Sequence, residues 1–244
     1  MSLTREKILG GWIETLVARS GEGKVLSGEE RRRSIEATLE GCPPGQDLWL
    51  FGYGSLIWNP CIEFAERRLA RVRGWHRSFC LWTHGGRGTR TRPGLVLGLE
   101  QGGSCRGVAF RIEAAKLETE LDIVWRREMV TAAYRPTWVA LSDGSNRFRG
   151  VTFTINRAHD RYTGKIDEAR VIETLALAEG DIGSSRDYLF STVDHLRALG
   201  MEDSRLVRLA EAVRDYRCSL IAEGRQGKDD EEAAAALVAA AGGS

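Results

Sequence analysis

Two short stretches of this 244-residue chain carry residue types that can do chemistry. The first is Tyr53-Gly54-Ser55. It lies between an apolar, aromatic-rich run, Leu48-Trp49-Leu50-Phe51, and a second apolar group, Leu56-Ile57-Trp58, which Asn59-Pro60 ends. Glycines 52 and 54 at the end of a strand permit a tight turn and bring bare backbone N–H groups close to whatever sits above them. Pinned by apolar residues on both sides, the loop Tyr53, Gly54, Ser55, Leu56, Ile57, Trp58 can present oriented donors to an anion or a carbonyl oxygen. A dinucleotide fingerprint would need glycine where Ile57 stands, and a nucleophile elbow fails because Leu56-Ile57 follow Ser55. The same pattern also fits a strand, a glycine turn and a second buried strand with no function. The second stretch is Arg126-Arg127-Glu128, at the end of a helical pattern. An isolated glutamate beside arginine is most often an exposed ion pair. Set instead in a half-apolar pocket between Trp125 and Tyr134, Glu128 would be driven toward its neutral form, as a proton shuttle near neutral pH requires.

The surrounding pattern predicts what holds these stretches. Thr4 is placed to cap a helix through about Arg19, with Ile8, Trp12, Ile13, Leu16 and Val17 on one stripe. Ser27 and Glu30 form a capping box for a second helix, 29–40, and Gly41-Cys42-Pro43-Pro44-Gly45 reads as a linker. Strands are expected at 48–52, 70–82, 95–100, 105–112, 134–142 and 147–155, the last two joined by an Asp143-Gly144-Ser145-Asn146 turn. Helices are expected from Glu113 to about Met129 and over 167–179, 184–199 and 203–222, with Asp167 and Ser184 as caps and Gly180 and Gly200 as stops. The segment His84–Gly94 is glycine-rich and basic. It reads as a mobile surface loop or as an anion-contacting one, with Arg87, Arg90 or Arg92 meeting a carboxylate.

Composition narrows the class. The chain is 42% hydrophobic and 28% charged with a net charge of +1, so no global field recruits nucleic acid or an acidic membrane. The Arg31-Arg32-Arg33 run reads as a solvated helix face. Five scattered cysteines without Cys-x-x-Cys spacing point to reduced thiols in a cytoplasmic protein. No apolar run approaches a membrane span, and the N-terminus lacks a signal core. His76, His84, His159 and His195 show no ligand spacing, so neither a metal nor a cofactor is expected.

Phe51-Gly52-Tyr53-Gly54-Ser55-Leu56-Ile57-Trp58-Asn59-Pro60 resembles the opening signature of the ChaC-type γ-glutamylcyclotransferases. The resemblance runs on in order from about Asp47 to Leu220. Val72-Arg73-Gly74-Trp75-His76-Arg77 is similar to the family's second strand and Arg92-Pro93-Gly94-Leu95-Val96 to its Pro-Gly turn. Arg126-Arg127-Glu128-Met129-Val130 is similar to the segment bearing its catalytic glutamate, and Arg161-Tyr162-Thr163-Gly164 to a tyrosine-containing loop. The resemblance implies an α+β fold, a mostly antiparallel, barrel-like sheet surrounded by helices. It implies cleavage of glutathione into 5-oxoproline and Cys-Gly. Glu128 would be the general acid/base, residues 53–58 would bind the substrate, and the Tyr162 hydroxyl would lie in the pocket.

On this reading residues 1–46 are a helical extension and linker, 47–222 the catalytic domain and 223–244 an Ala-rich, low-complexity tail. The partner is a small molecule rather than nucleic acid or membrane. Two alternatives stay open: a cyclotransferase for other γ-glutamyl amines or dipeptides, and a non-catalytic γ-glutamyl-binding module.

Overall fold

The computed structural model describes residues 3–223, so the Ala-rich stretch after Glu223 lies outside the described residues. Three helices come first: α1 Arg5–Leu9, α2 Trp12–Ser20 and α3 Gly28–Leu39. The single helix expected up to about Arg19 is two. Gly11 adopts a left-handed φ of 74°, which glycine tolerates and other residues resist, and the chain turns there. Thr4 caps α1, and the Ser27–Glu30 capping box closes in both directions, a device worth about 1 kcal/mol.

Five strands follow: β1 Leu48–Gly52, β2 Glu66–Thr83, β3 Gly94–Ile112, β4 Tyr134–Ser142 and β5 Arg147–Ile155. They close a barrel in the order β1-β3-β2-β4-β5. Neighbours are antiparallel except where β5 meets β1 at Leu50–Val151 and β3 at Leu99–Thr154. The expected α+β, mostly antiparallel barrel with helices around it is therefore the fold the chain forms. The strands expected at 95–100 and 105–112 are one. β3 runs through Gly102 and Gly103, both at positive φ, and β2 bends opposite them at Gly74, where the register slips between Arg73 and Trp75. The hairpin thus bends without breaking, so Val108–Ile112 can pair with β1 while Leu99 reaches β5. At the β4–β5 turn the Asp143 carboxylate accepts from the N–H groups of Ser145 (3.1 Å) and Asn146 (2.7 Å).

A single 3₁₀ turn, Ala114–Lys116, leads into α4 Leu117–Glu128. Its Trp125 is fully buried, stands edge-on to Phe153 at 5.1 Å and donates to Ser34 Oγ at 3.0 Å, joining α4 to the barrel and to α3. The C-terminal third contains α5 Glu168–Leu177, a two-residue hairpin β6 Glu179–Gly180 with β7 Gly183–Ser184, α6 Ser185–Ala198 and α7 Ser204–Ala222. Ser184 and Asp203 cap α6 and α7 through their side chains, whereas Asp167 makes no capping bond. Ile8, Ile13, Val17 and Ile35 share one continuous core with Leu50, Phe51, Phe110 and Phe153. Among the described residues no helix is long and apolar enough to cross a membrane.

Candidate active site

A cavity of about 440 Å³ lies beside the end of β1. Its first wall is the segment after Gly52. Ser55–Ile57 is one 3₁₀ turn, not a second strand. The turn spends the N–H groups of Ile57 on Gly54 O (2.9 Å), of Trp58 on Ser55 O and of Asn59 on Ser55 O (3.0 Å). The N–H groups of Gly54, Ser55 and Leu56 have no acceptor among the described residues, and all three residues line the cavity. Tyr53 and Trp58 line it too. Ile57 does not: its side chain is buried in the core and its N–H is taken. Gly54 has an ordinary φ of −131°, so positive φ does not explain it. A Cβ there would lie 2.8 Å from the Tyr188 hydroxyl oxygen, and glycine is the residue that fits.

Two arginines hold this wall. Arg77 on β2 donates from Nε to the Tyr53 carbonyl at 2.6 Å, pairs with Asp203 at 3.0 Å and donates to the Arg106 carbonyl. Arg127 on α4 donates from Nη2 to Ser55 Oγ at 2.7 Å and from Nη1 to the Asn59 carbonyl. The Tyr53 hydroxyl donates to the Phe153 carbonyl at 2.8 Å, which fixes the ring across the barrel end.

Glu128, the last residue of α4, lines the cavity. It is paired with arginine, as an isolated glutamate would be, but not at the surface. Arg127 Nε lies 3.0 Å from its Oε1, and the two side chains are only 8% and 15% exposed. Burial pushes the Glu128 carboxyl up; Arg127 pulls it down by less, and the net shift is upward. Trp125, expected at its side, faces the core instead. The neighbouring rings are Tyr53, Tyr134 and Tyr188, whose phenols are held protonated by burial and by the Glu128 charge. Tyr134 donates to the Leu97 carbonyl at 2.7 Å.

The glycine-rich segment 84–94 packs against the N-terminal helices and the 179–185 region. Glu22 accepts from the N–H groups of His84 and Gly85, and Thr89 N–H bonds the Arg92 carbonyl at 2.9 Å. Of its three arginines, Arg87 lines the cavity and Arg90 and Arg92 do not. Arg87 makes no ion pair among the described residues. Its guanidinium reaches the Ser184 carbonyl at 3.3 Å and lies 5.4 Å over the Tyr188 ring. Tyr162 is a correction: its hydroxyl donates to Glu100 at 2.7 Å, and it does not line the cavity.

Tyr134 lines the cavity as expected, whereas sequence reasoning missed Glu22, Arg161 and Tyr188 as lining residues. Each sits far along the chain from the loop it faces; Glu22 alone carried a local oddity, an acid between Gly21 and Gly23. Among the described residues no three His, Cys, Asp or Glu side chains gather to hold a metal ion, and all five cysteines are unpaired. The arrangement offers three free backbone donors, a buried carboxylate of raised pKa and a guanidinium without an acidic partner. It can bind a small molecule bearing a carboxylate and a carbonyl, and move a proton within it.

The ChaC-like protein family matches this chain over residues 48–216. The glutathione-specific γ-glutamylcyclotransferase of Escherichia coli strain K12 is 38% identical over 213 residues, covering 87% of this chain and 92% of that protein. The human glutathione-specific γ-glutamylcyclotransferase 1 is 26% identical over 175 residues, covering 69% and 79%. A crystal structure of the yeast γ-glutamylcyclotransferase specific to glutathione superposes with a TM-score of 0.63 at 19% identity, covering 70% of this chain and all of that one, a likeness of fold.

Proposed function

The chain belongs to the ChaC-like protein family, and on that premise we propose that it is a γ-glutamylcyclotransferase that cleaves glutathione into 5-oxoproline and Cys-Gly. One observation carries the reading: Glu128, buried and raised in pKa, lines the same cavity as the free N–H groups of Gly54, Ser55 and Leu56.

The reaction is intramolecular. The α-amine of the γ-glutamyl unit attacks its own γ-carbonyl, a five-membered ring closes, and the amide bond to cysteine breaks. Holding the reacting groups in a near-attack geometry can supply roughly 7–11 kcal/mol of the barrier. What remains is proton traffic and charge. An α-amine is largely ammonium at neutral pH and must lose a proton before it attacks. Glu128 accepts that proton and gives it to the departing Cys-Gly nitrogen, then takes the second proton that the ring nitrogen sheds as the lactam forms and passes it to the freed amine. Its raised pKa makes it a stronger base than an ordinary glutamate, while Arg127 keeps the carboxylate form accessible. The free N–H groups of Gly54, Ser55 and Leu56 bind the γ-glutamyl unit and stabilise the developing oxyanion. Arg87 is positioned to meet a substrate carboxylate. The unpaired thiols fit a reducing compartment, and we place the activity in the cytoplasm.

Incubation of the purified chain with a panel of γ-glutamyl compounds tests the reading. Release of 5-oxoproline from glutathione at higher kcat/KM than from γ-glutamyl amines or other γ-glutamyl dipeptides is the expected result. Preference for another compound would reassign the substrate, and binding without turnover would leave a γ-glutamyl-binding module.

A further inference from the structure

Part of the cavity is built by residues that precede the family match, which begins at residue 48. Ile13, Leu16 and Val17 of α2, and Glu22 just after it, all line the cavity. We propose that this N-terminal segment is the leaving-group wall of the active site and sets its selectivity for the peptide beyond the scissile bond; the proposal rests on the cyclotransferase reading.

The wall is latched in place by Glu22. This buried carboxylate accepts from Thr83 Oγ1 at 2.7 Å, from Gly85 N–H at 2.8 Å, and from His84 N–H and Arg161 Nη1. Its bonding capacity is spent on the segment that carries Arg87 and on the loop that carries Arg161, so Glu22 is a positioning residue and not a second base. Two further contacts hold the segment: Arg126 pairs with Glu14 at 3.2 Å, and Leu26 N–H bonds the Val130 carbonyl at 2.9 Å. Leu16 lies so close to Gly85 that a Cβ on that glycine would come 3.2 Å from its Cδ1.

The chemistry of this wall differs from that around Glu128. The Glu22–Arg161 pair is neutral as a unit, and the side chains beside it are apolar: Ile13, Leu16 and Val17, with Ile182 also in the lining. Arg161 gives Nη1 to Glu22 and the Trp82 carbonyl and Nη2 to Thr131 Oγ1 at 2.6 Å, while its buried Nε–H has no acceptor. Cysteinylglycine ends in a carboxylate, and an apolar surface bordered by Arg87, on the segment that Glu22 holds, suits a short peptide carrying a small, weakly polar side chain and that terminal charge. The γ-glutamyl half, with its ammonium and its carboxylate, suits Glu128 and the loop donors. The cysteinylglycine half is therefore assigned to the N-terminal wall.

The test compares the full chain with its Leu16→Ala and Glu22→Gln variants on glutathione and on γ-glutamylcysteine, which lacks the glycine. Both variants should raise KM for glutathione at least tenfold with kcat within about threefold, and should lower the ratio of kcat/KM for glutathione over γ-glutamylcysteine. A merely structural role would reduce the active fraction, and so kcat, and leave KM and the ratio alone. If melting curves show that either variant does not fold, near-isosteric Leu16→Met carries the same comparison with an expected threefold rise in KM. KM and ratio within twofold of the parent in folded variants overturn the proposal. Failure of the parent itself to release 5-oxoproline from either compound would instead overturn the cyclotransferase reading.

Discussion

Arg127 and Glu128 are chain neighbours whose side chains meet, Nε to Oε1 at 3.0 Å. Successive helical residues do not normally face each other; these do so at the last residue of α4. The same guanidinium holds Ser55 and Asn59. One residue therefore ties the loop after Gly52 to the proposed base and opposes the upward push of burial on that base.

A pH profile of kcat/KM follows. The acid limb should lie above the ordinary glutamate value, because the base must be deprotonated and its pKa is raised. Arg127→Met removes the charge that pulls Glu128 down, so the limb should move to higher pH. An unmoved limb would mean that another group titrates.

The raised pKa also has a stability sign. A group whose folded pKa exceeds its unfolded value contributes stability below the unfolded value and loses it as pH rises through the folded one. Glu128→Gln removes that loss, so the melting temperature of the variant relative to the parent should be higher at pH 8 than at pH 4. Equal differences at both pH values would contradict the shift.

Gly54 and Tyr188 give a rescue experiment. A Cβ at 54 would crowd the Tyr188 hydroxyl at 2.8 Å. Gly54→Ala should cut kcat/KM by about tenfold or more, and adding Tyr188→Phe should recover part of it, a coupling of about 0.5–3 kcal/mol for residues in contact. Ser55→Ala should cost less than Gly54→Ala, because it removes only the acceptor of one Arg127 bond. Strict additivity, or a Ser55→Ala variant as inactive as one at Glu128, would break the assignment of backbone donors.

What the sequence made legible was local. The ranges of β1, β4 and β5 match their apolar patterns, the Ser27–Glu30 box is where its residues stand, and Gly54, Ser55 and Glu128 do meet around one cavity. What was not legible depends on long-range contact. Glu22 meets Thr83, His84 and Gly85 across 61–63 residues, and Tyr188 reaches Gly54 from α6. No periodicity encodes such meetings. The strands expected at 95–100 and 105–112 are one because the two glycines facing Gly74 let a continuous strand bend. A family-like loop says where Tyr162 stands in the chain, not that its hydroxyl is spent on Glu100.

Arg77 predicts a stability effect distinct from the chemistry. Its side chain is 3% exposed and holds Tyr53, Arg106 and Asp203 together. Arg77→Met leaves carbonyls and a carboxylate without their donor and should cost about 3 kcal/mol in urea denaturation. A change under 1 kcal/mol would show the clamp to be dispensable.

Thiol chemistry separates surface from core. Cys218 is exposed, whereas Cys80 and Cys105 are buried, and burial pushes the Cys105 thiol up to about 11. Alkylation at pH 8 should label Cys218 first and spare 5-oxoproline formation. Loss of activity on modification of Cys218 alone would point to a role for the C-terminal helix at the site.

The most direct test of the account is 5-oxoproline release by Glu128→Gln, with a melting curve and a glutathione-binding isotherm beside it. Glutamine keeps the size of the side chain but cannot take the proton. The account predicts a folded protein that binds glutathione and loses roughly 10²–10⁴-fold in turnover, the range for removing a general acid–base. Near-normal turnover in a folded Glu128→Gln variant would contradict it, because no proton shuttle would then stand at the γ-carbonyl.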